Sequence, residues 1–389
     1  ELIATEGVPV PLGTGLGKQP TASADAPPAA RLSEDRALVL AKTTCPDFGM
    51  LSSGLSSFHG ITRNPWNLAC NTGGSSSGAG AAAAAGFGPL HVGTDIGGSV
   101  RLPAAWCGIV GFKPTLGRIP IDPYYVGRCA GPMTRSVEDA ALMMNTLART
   151  DRRDAMRLPP EHIDWMDLAL DVKGLRIGVM MEAGCGLPLD EEIRYHVEQA
   201  ARLLEAAGAT LVPMAPVLSR EMLDGLDHFW QARQWSELSK LAAEEREQVL
   251  PAILAWADGG ARLSGVEVVQ GFQQTMAMRR ATESVFETVD AVISPTTPNI
   301  AFPAEWASPT NDPRQPFEHI AYTVPWNMGE QPAISLNAGL SKRNMPIGVQ
   351  LIGPRFADHF VLKLARQLEA RLGLPMCLPM PVCDKSVLE

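Results

Sequence analysis

The sequence contains no Cys-x-x-Cys pair. Its seven cysteines (Cys45, Cys70, Cys107, Cys129, Cys185, Cys377 and Cys383) are scattered and odd in number. That pattern gives no support to a zinc site or a redox dithiol, and it suits a reducing compartment better than a secreted disulfide scaffold. Basic residues are in the minority, 33 Lys and Arg against 42 Asp and Glu, for a formal net charge of −9. Phosphate backbones are held by clustered Lys and Arg, so nucleic acid is not an expected partner. Long apolar runs are missing too. The longest, Ala81–Ala85 with its flanks, is too short and too rich in glycine to span a bilayer, and no membrane association is expected. No signal peptide is visible. The chain starts at Glu1 rather than Met, so we expect a cytoplasmic protein whose N-terminus is incomplete here. A 46% hydrophobic share with 19% charged residues excludes a disordered chain.

At 389 residues the chain has room for two or three ordinary domains or one large α/β unit. Residues 1–35 read as irregular, with Pro and Gly interleaved. Arg36–Lys42 reads as a buried strand centred on the apolar run Ala37–Ala41, and Leu51–Ser57 as a loop with a short helix. A small-residue helix is expected up to Gly86, then a strand near His91–Thr94. Ser136 followed by Asp139 has the form of a capping box that opens a helix to about Leu147. Strands at Leu175–Met180 and Thr210–Pro213 flank an amphipathic helix at Glu191–Ala207, a β-α-β rhythm typical of helices packed on a sheet. Residues 220–290 read as mostly helical. Further strands fall at Ala291–Ser294, Ile334–Leu340 and Ile347–Ile352, and 358–372 reads as a closing helix. No repeat or linker divides the chain, which predicts a single large α/β domain over 1–389.

Two Gly-Gly-Ser elements stand out, Gly73-Gly74-Ser75-Ser76-Ser77-Gly78 and Gly97-Gly98-Ser99. Without Cβ atoms in the way, consecutive backbone N–H groups can turn toward one point and approach a ligand closely. If Ser99 is a nucleophile, the amides of Ile96, Gly97, Gly98 and Ser99 could form the donor cluster that a tetrahedral oxyanion requires. Taken alone, a Gly/Ser cluster is more often a flexible linker.

The length of the pattern separates the two readings. Gly73 to Arg118 resembles the amidase signature nearly position by position: Gly73-Gly-Ser-Ser-Ser-Gly-Ala-Gly80, Gly93-Thr-Asp-Ile-Gly-Gly-Ser-Val-Arg101, Pro103-Ala104, Gly108-Ile-Val-Gly-Phe-Lys-Pro-Thr115 and Gly117-Arg118. Lys42–Phe48, Arg63–Trp66, Gly131–Arg135, Asp290–Pro298 and Pro346–Gln350 resemble the family's flanking segments. The resemblance implies a central mixed, twisted β-sheet covered by helices on both faces. The signature core would span about 40–150, and a helical region at about 215–290 would shape the substrate site. It also implies a Ser–cis-Ser–Lys amide hydrolase, with Ser99 as acylating nucleophile and Ser75 as the bridging serine at a non-proline cis peptide. In that family a neutral lysine takes a proton from the bridging serine, which takes one from the nucleophile, and the relay then protonates the leaving amine. The lysine must be desolvated to be neutral, since its free pKa is about 10.4. Asp95 and Arg101 would pin the nucleophile loop, while Ser76 and Thr94 would hydrogen-bond within the network. A small-molecule amide substrate, no metal, no organic cofactor and a homodimer are the expectations that follow.

One departure matters. The family's lysine follows a Gly-Val-Pro-Val-like strand, but here Gly7-Val-Pro-Val-Pro11 runs into Leu12-Gly-Thr-Gly-Leu-Gly17 with no lysine. Lys18 comes too late, and Lys42 matches a different family lysine. Natural loss, deliberate deletion and a segment missing near 11–12 compete, and the abrupt passage after Pro11 favours the missing segment. Histidine offers no obvious substitute: only His59 and His91 lie near the block, and His91 falls in an expected strand. Cys107, among apolar neighbours, reads as a structural thiol. Two rival functions remain. One is the glutaminase component of a tRNA-dependent amidotransferase, which works with a partner protein; Met50–Ser57 does not resemble that subgroup. The other is a catalytically inactive amidase-like scaffold. Tyr124, Tyr125, Trp230, Trp306 and Trp326 are candidates for an apolar acyl pocket, with ordinary core packing as the simpler alternative for each.

Overall fold

Ala291-Val-Ile-Ser-Pro295 illustrates how this chain builds its sheet. Every residue of the strand is buried, with Ala291 and Ile293 joining one apolar core and Val292 another. Alternate side chains point to opposite faces, so a strand buried throughout requires cover on both. The computed structural model describes residues 1–17 and 19–374, and within them the cover is helical.

Two small hairpins precede the main sheet: β1 (Leu55–Ser56) with β2 (Gly60–Ile61), and β3 (Arg63–Asn64) with β4 (Asn67–Asn71). The main sheet has eight strands: β5 (Leu90–Asp95), β6 (Val110–Lys113), β7 (Cys129–Thr134), β8 (Arg176–Val179), β9 (Thr210–Pro213), β10 (Ala291–Pro295), β11 (Ala333–Leu340) and β12 (Pro346–Ile352). They lie in the order β5-β7-β6-β11-β12-β10-β8-β9. Pairing is antiparallel from β5 through β10 and parallel across β10-β8-β9, so the sheet is mixed, as expected.

Helices α1 (Pro27–Glu34), α2 (Ser77–Ala85), α3 (Arg101–Cys107), α4 (Val137–Leu147) and α5 (Glu191–Ala206) follow in chain order. Next come α6 (Arg220–Leu238), α7 (Ala243–Arg246), α8 (Pro251–Ala257), α9 (Gly265–Val285), α10 (Val324–Met328) and α11 (Asp358–Leu372). On one face α4, α5 and α11 bury Leu147, Val197, Leu204 and Leu364 against the strands. On the other, α6, α8, α9 and α10 gather Trp230, Trp256, Met278 and Trp326 into a second core. The expected starts and stops hold where capping chemistry marks them. Ser136 accepts from the Asp139 amide at 3.1 Å to open α4, and Gly86, at φ +79°, closes α2.

Three local expectations need correction. Residues 1–35 include a helix, α1, whose two leading prolines fit a first turn that needs no N–H. The predicted short helix within Leu51–Ser57 is not formed; a 3-10 turn lies earlier, at Asp47–Gly49, and β1 starts at Leu55. The third concerns Arg36–Lys42, which is neither strand nor buried: Leu38 is 84% and Leu40 73% exposed. An apolar run becomes a buried strand only where a neighbour supplies both a hydrogen-bonding edge and cover, and among the described residues none pairs with it. The backbone runs on through Pro11 and Leu12 in a turn closed by Thr14 N donating to Pro11 O at 3.0 Å. Lys18, Cys377 and Cys383 lie outside the described residues. No described helix is long and apolar enough to cross a membrane.

Candidate active site

The loop between β5 and α3 is held by a single carboxylate. Asp95, the last residue of β5, accepts from Gly98 N at 2.7 Å through Oδ1 and from Val100 N at 3.1 Å through Oδ2. Arg101, at the start of α3, donates to both oxygens of the same carboxylate, Nη2 to Oδ1 at 2.9 Å and Nε to Oδ2 at 3.0 Å. Neither side chain is exposed. Burial by itself would raise the Asp95 pKa, but the adjacent Arg101 guanidinium outweighs it and holds the carboxyl down to about 2. Arg101 also donates to Gln350 Oε1 at 2.6 Å, Asn327 Oδ1 at 2.6 Å and Thr323 O at 3.1 Å, tying the loop to β12 and α10.

This clamp changes the donor inventory of the loop. Gly98 N–H serves Asp95, so of the four amides expected to form an oxyanion cluster it is the one already engaged. The amides of Ile96, Gly97 and Ser99 have no acceptor among the described residues. Gly98 has φ +128°, and a Cβ there would stand 2.6 Å from Thr323 Oγ1 and 2.7 Å from Leu102 Cγ. Only glycine fits this position.

The first Gly-Gly-Ser element lies against the second. Ser76 N donates to Ser99 O at 3.3 Å, and Ser76 Oγ accepts from Thr94 N at 3.1 Å and donates to Thr94 O at 3.2 Å. Thr94 thus meets Ser76 through its main chain. The Gly74–Ser75 peptide bond is cis, with Ser75 buried. A Cβ on Gly74 would come within 2.5 Å of Ser53 O, and one on Gly73 within 2.3 Å of the Trp106 ring, so both glycines permit close packing. Neither Ser75 Oγ nor Ser99 Oγ hydrogen-bonds to another described protein group, so the direct serine-to-serine bond is not formed. No described lysine ammonium bonds to Ser75. Lys42 Nζ donates to Pro9 O at 3.5 Å, and Lys113 Nζ, buried, to Gln331 O and Pro114 O.

Ser99 lines a cavity with about 380 Å³ of empty space, counting its open mouth. Gly49, Met50, Ile96 and Gly97 line it as well, and Trp230, Arg233, Phe317 and Ile320 supply its aromatic wall. Trp230 and Arg233 come from α6. The Phe317 ring packs edge-on between Trp230 and Trp256, at 5.1 Å and 5.5 Å, which stiffens that wall. Of the aromatic candidates read from sequence, Trp230 lines the cavity and Tyr125 lies beneath the Arg233 guanidinium at 4.1 Å. Trp326 is core, while Tyr124 and Trp306 are exposed. Cys107 is fully buried and burial pushes its thiol pKa up. Among the described residues no group of three or more His, Cys, Asp or Glu is placed to hold a metal ion. Sequence reasoning missed Asn327, Thr323 and Arg233. For Gln350 a signal existed, since it ends one of the flanking segments quoted above.

A protein-family model described as Amidase matches residues 1–362. A glutamyl-tRNA(Gln) amidotransferase subunit from Persephonella marina is 30% identical over 399 aligned residues, covering 93% of this chain and 80% of the relative. Its counterpart from Fusobacterium nucleatum is 33% identical, covering 90% and 77%. Among solved structures, a bacterial aryl acylamidase of the amidase signature family superposes with a TM-score of 0.86 at 28% identity, covering 96% of this chain and 83% of the other. A 6-aminohexanoate cyclic dimer hydrolase gives 0.88 at 28% identity with the same coverages.

Proposed function

This chain belongs to the amidase signature family, and on that premise we propose that it hydrolyses a carboxamide C–N bond through an acyl-enzyme on Ser99. The carrying observation is that Ser99 lines the cavity while the neighbouring amides of Ile96, Gly97 and Ser99 have no acceptor among the described residues. In the proposed reaction Ser99 Oγ bonds to the carbonyl carbon, and the three amides stabilise the negative charge on its oxygen. The C–N bond then breaks and the nitrogen leaves with a proton relayed through Ser75. Water next attacks the acyl ester, releasing the carboxylate and restoring the Ser99 hydroxyl. Asp95 and Arg101 act on the loop, not on the substrate.

The relay needs a base, and we propose a lysine on a segment that this sequence lacks near residues 11–12. The alignment with the Persephonella marina protein is longer than this whole chain yet covers 93% of it, so the relative carries residues with no counterpart here. That supports a missing segment without locating it. The amidotransferase reading draws on the Persephonella and Fusobacterium relatives. Against it, the solved glutamyl-tRNA(Gln) amidotransferase subunit from Thermotoga maritima superposes at a TM-score of 0.77, below the 0.86 and 0.88 of the two hydrolases. A small amide and water are therefore the preferred substrates.

A fluorophosphonate that phosphonylates activated serines tests the reading. Labelling mapped to Ser99 and lost in Ser99→Ala is the expected result, with reduced labelling in Ser75→Ala. A folded protein that is never labelled, with and without a restored lysine-bearing segment, would identify an inactive scaffold.

A further inference from the structure

Two arginines, Arg233 in the cavity wall and Arg128 within reach of its charge, have no acid to pair with among the described residues. Arg233, from α6, lines the cavity together with Ser99. Arg128 immediately precedes β7, whose first residue Cys129 pairs with Asp95 at the foot of the nucleophile loop. Asn327 Nδ2 bridges the two segments, donating to Asp95 O at 3.1 Å and to Gly127 O at 3.0 Å. Among the described residues neither guanidinium makes a salt bridge or a side-chain hydrogen bond, although most other half-buried arginines are paired with carboxylates. Both are half-buried.

Two like charges that interact, with no carboxylate partner among the described residues, repel one another. Burial, and then the charge of Arg233, push the Arg128 pKa down to about 10, which leaves Arg128 cationic at neutral pH. The Tyr125 ring beneath Arg233 at 4.1 Å holds that guanidinium by its face, and its edge N–H groups stay available to an acceptor. The Tyr125 carbonyl also accepts from Arg128 N at 3.1 Å, so one short turn positions both arginines.

We propose that Arg233 and Arg128 form a carboxylate-binding subsite, so that the preferred substrate is an amide with a carboxylate at the end remote from the scissile bond. The assignment rests on the amidase reading for the scissile end alone. A carboxylate satisfies two planar guanidinium forks, removes their mutual repulsion, and orients the acyl chain between Trp230 and the nucleophile loop.

Calorimetric titration of the Ser99→Ala protein compares monoamides of dicarboxylic acids, from succinamate to pimelamate, with neutral alkyl amides and ω-amino amides of matched length. At the best length the carboxylated amide is expected to bind about ten- to a hundred-fold more tightly than its neutral counterpart. Arg233→Gln and Arg128→Gln should each shrink that gap, and Arg233→Lys should keep part of it, with thermal melting used to verify folding. Equal affinities, a preference for the amino amides, or a gap that survives Arg233→Gln would overturn the subsite. Inorganic phosphate binding as tightly as the best monoamide would mark a site for free anions and overturn the substrate assignment. Because binding is read without turnover, failed phosphonate labelling with the affinity gap intact would sink the amidase reading and leave the subsite standing.

Discussion

Arg101 grips Asp95 with two nitrogens, Nη2 to Oδ1 at 2.9 Å and Nε to Oδ2 at 3.0 Å, with both side chains wholly buried. The same carboxylate holds the amides of Gly98 and Val100. The ion pair is thus the internal frame of the loop that carries Ser99. Removing one partner strands the other charge in a dry interior, which commonly costs about 3–5 kcal/mol. Asp95→Ala should lose about that much in urea unfolding and lose phosphonate labelling as well. Asp95→Ala with unchanged stability would refute this account of the loop.

Gly98 permits no side chain. Gly98→Ala places a methyl against Thr323 Oγ1 and Leu102 at a φ of +128°, so overpacking and backbone strain add, each on the order of 1–3 kcal/mol. Labelling of Ser99 should fall by at least about tenfold even where the variant still melts cooperatively. A double variant with Thr323→Ala relieves one clash and should recover part of the loss.

His319 gives the protein an acid sensitivity of its own. It is fully buried, neither ring nitrogen has a partner among the described residues, and burial pushes its pKa down to about 3. The unfolded value is about 6.5. A base whose folded pKa is depressed contributes fully above the unfolded value, and that stability drains away as pH falls from about 6.5 toward 3. The slope approaches about 1.4 kcal/mol per pH unit. His319→Phe should flatten the stability profile across that window. Asp95, held near 2, adds a second loss below about pH 5, where its unfolded carboxyl begins to protonate.

The exposed run Ala37–Ala41 offers a direct check on its environment. Substituting Leu38→Ser and Leu40→Ser should change stability by no more than about 0.5 kcal/mol each, as expected of surface positions. Burial as a sheet strand would instead make each cost about 2–5 kcal/mol.

Trp230 forms a wall of the cavity and stacks edge-on with Phe317 at 5.1 Å. Trp230→Ala should lose about 3–5 kcal/mol of stability. It should also shift kcat/KM toward bulkier acyl groups, measured on a series of amides of increasing chain length. An unchanged size profile would remove Trp230 from the substrate site.

The elements with strong local signals were legible from sequence. Ser136 and Gly86 mark α4 and α2 because caps and left-handed turns depend on the residue at one position. The Gly-Gly-Ser elements were legible because backbone conformations that exclude Cβ leave glycine as their trace. Ser75 and Ser99 stand out for the same reason, and the structure brings their segments together through Ser76 N and Ser99 O.

Pairing of distant segments was decided only by the fold. Ala37–Ala41 has the composition of a buried strand, yet a strand is a relation between neighbours, and composition cannot supply the neighbour. The amide of Gly98 looks free in the sequence, and only the fold shows Asp95 taking it. Arg128 and Arg233 are far apart in the chain and ordinary in any sequence window. What makes them unusual is that no described carboxylate pairs with either in three dimensions, because electrostatic partnership acts through space and leaves no mark along the chain. The sequence by itself marked the glycine-rich loop that carries Ser99, and tertiary structure alone decided that Asp95 takes the Gly98 amide and that Arg233 shares a cavity with Ser99, because both depend on distance in space.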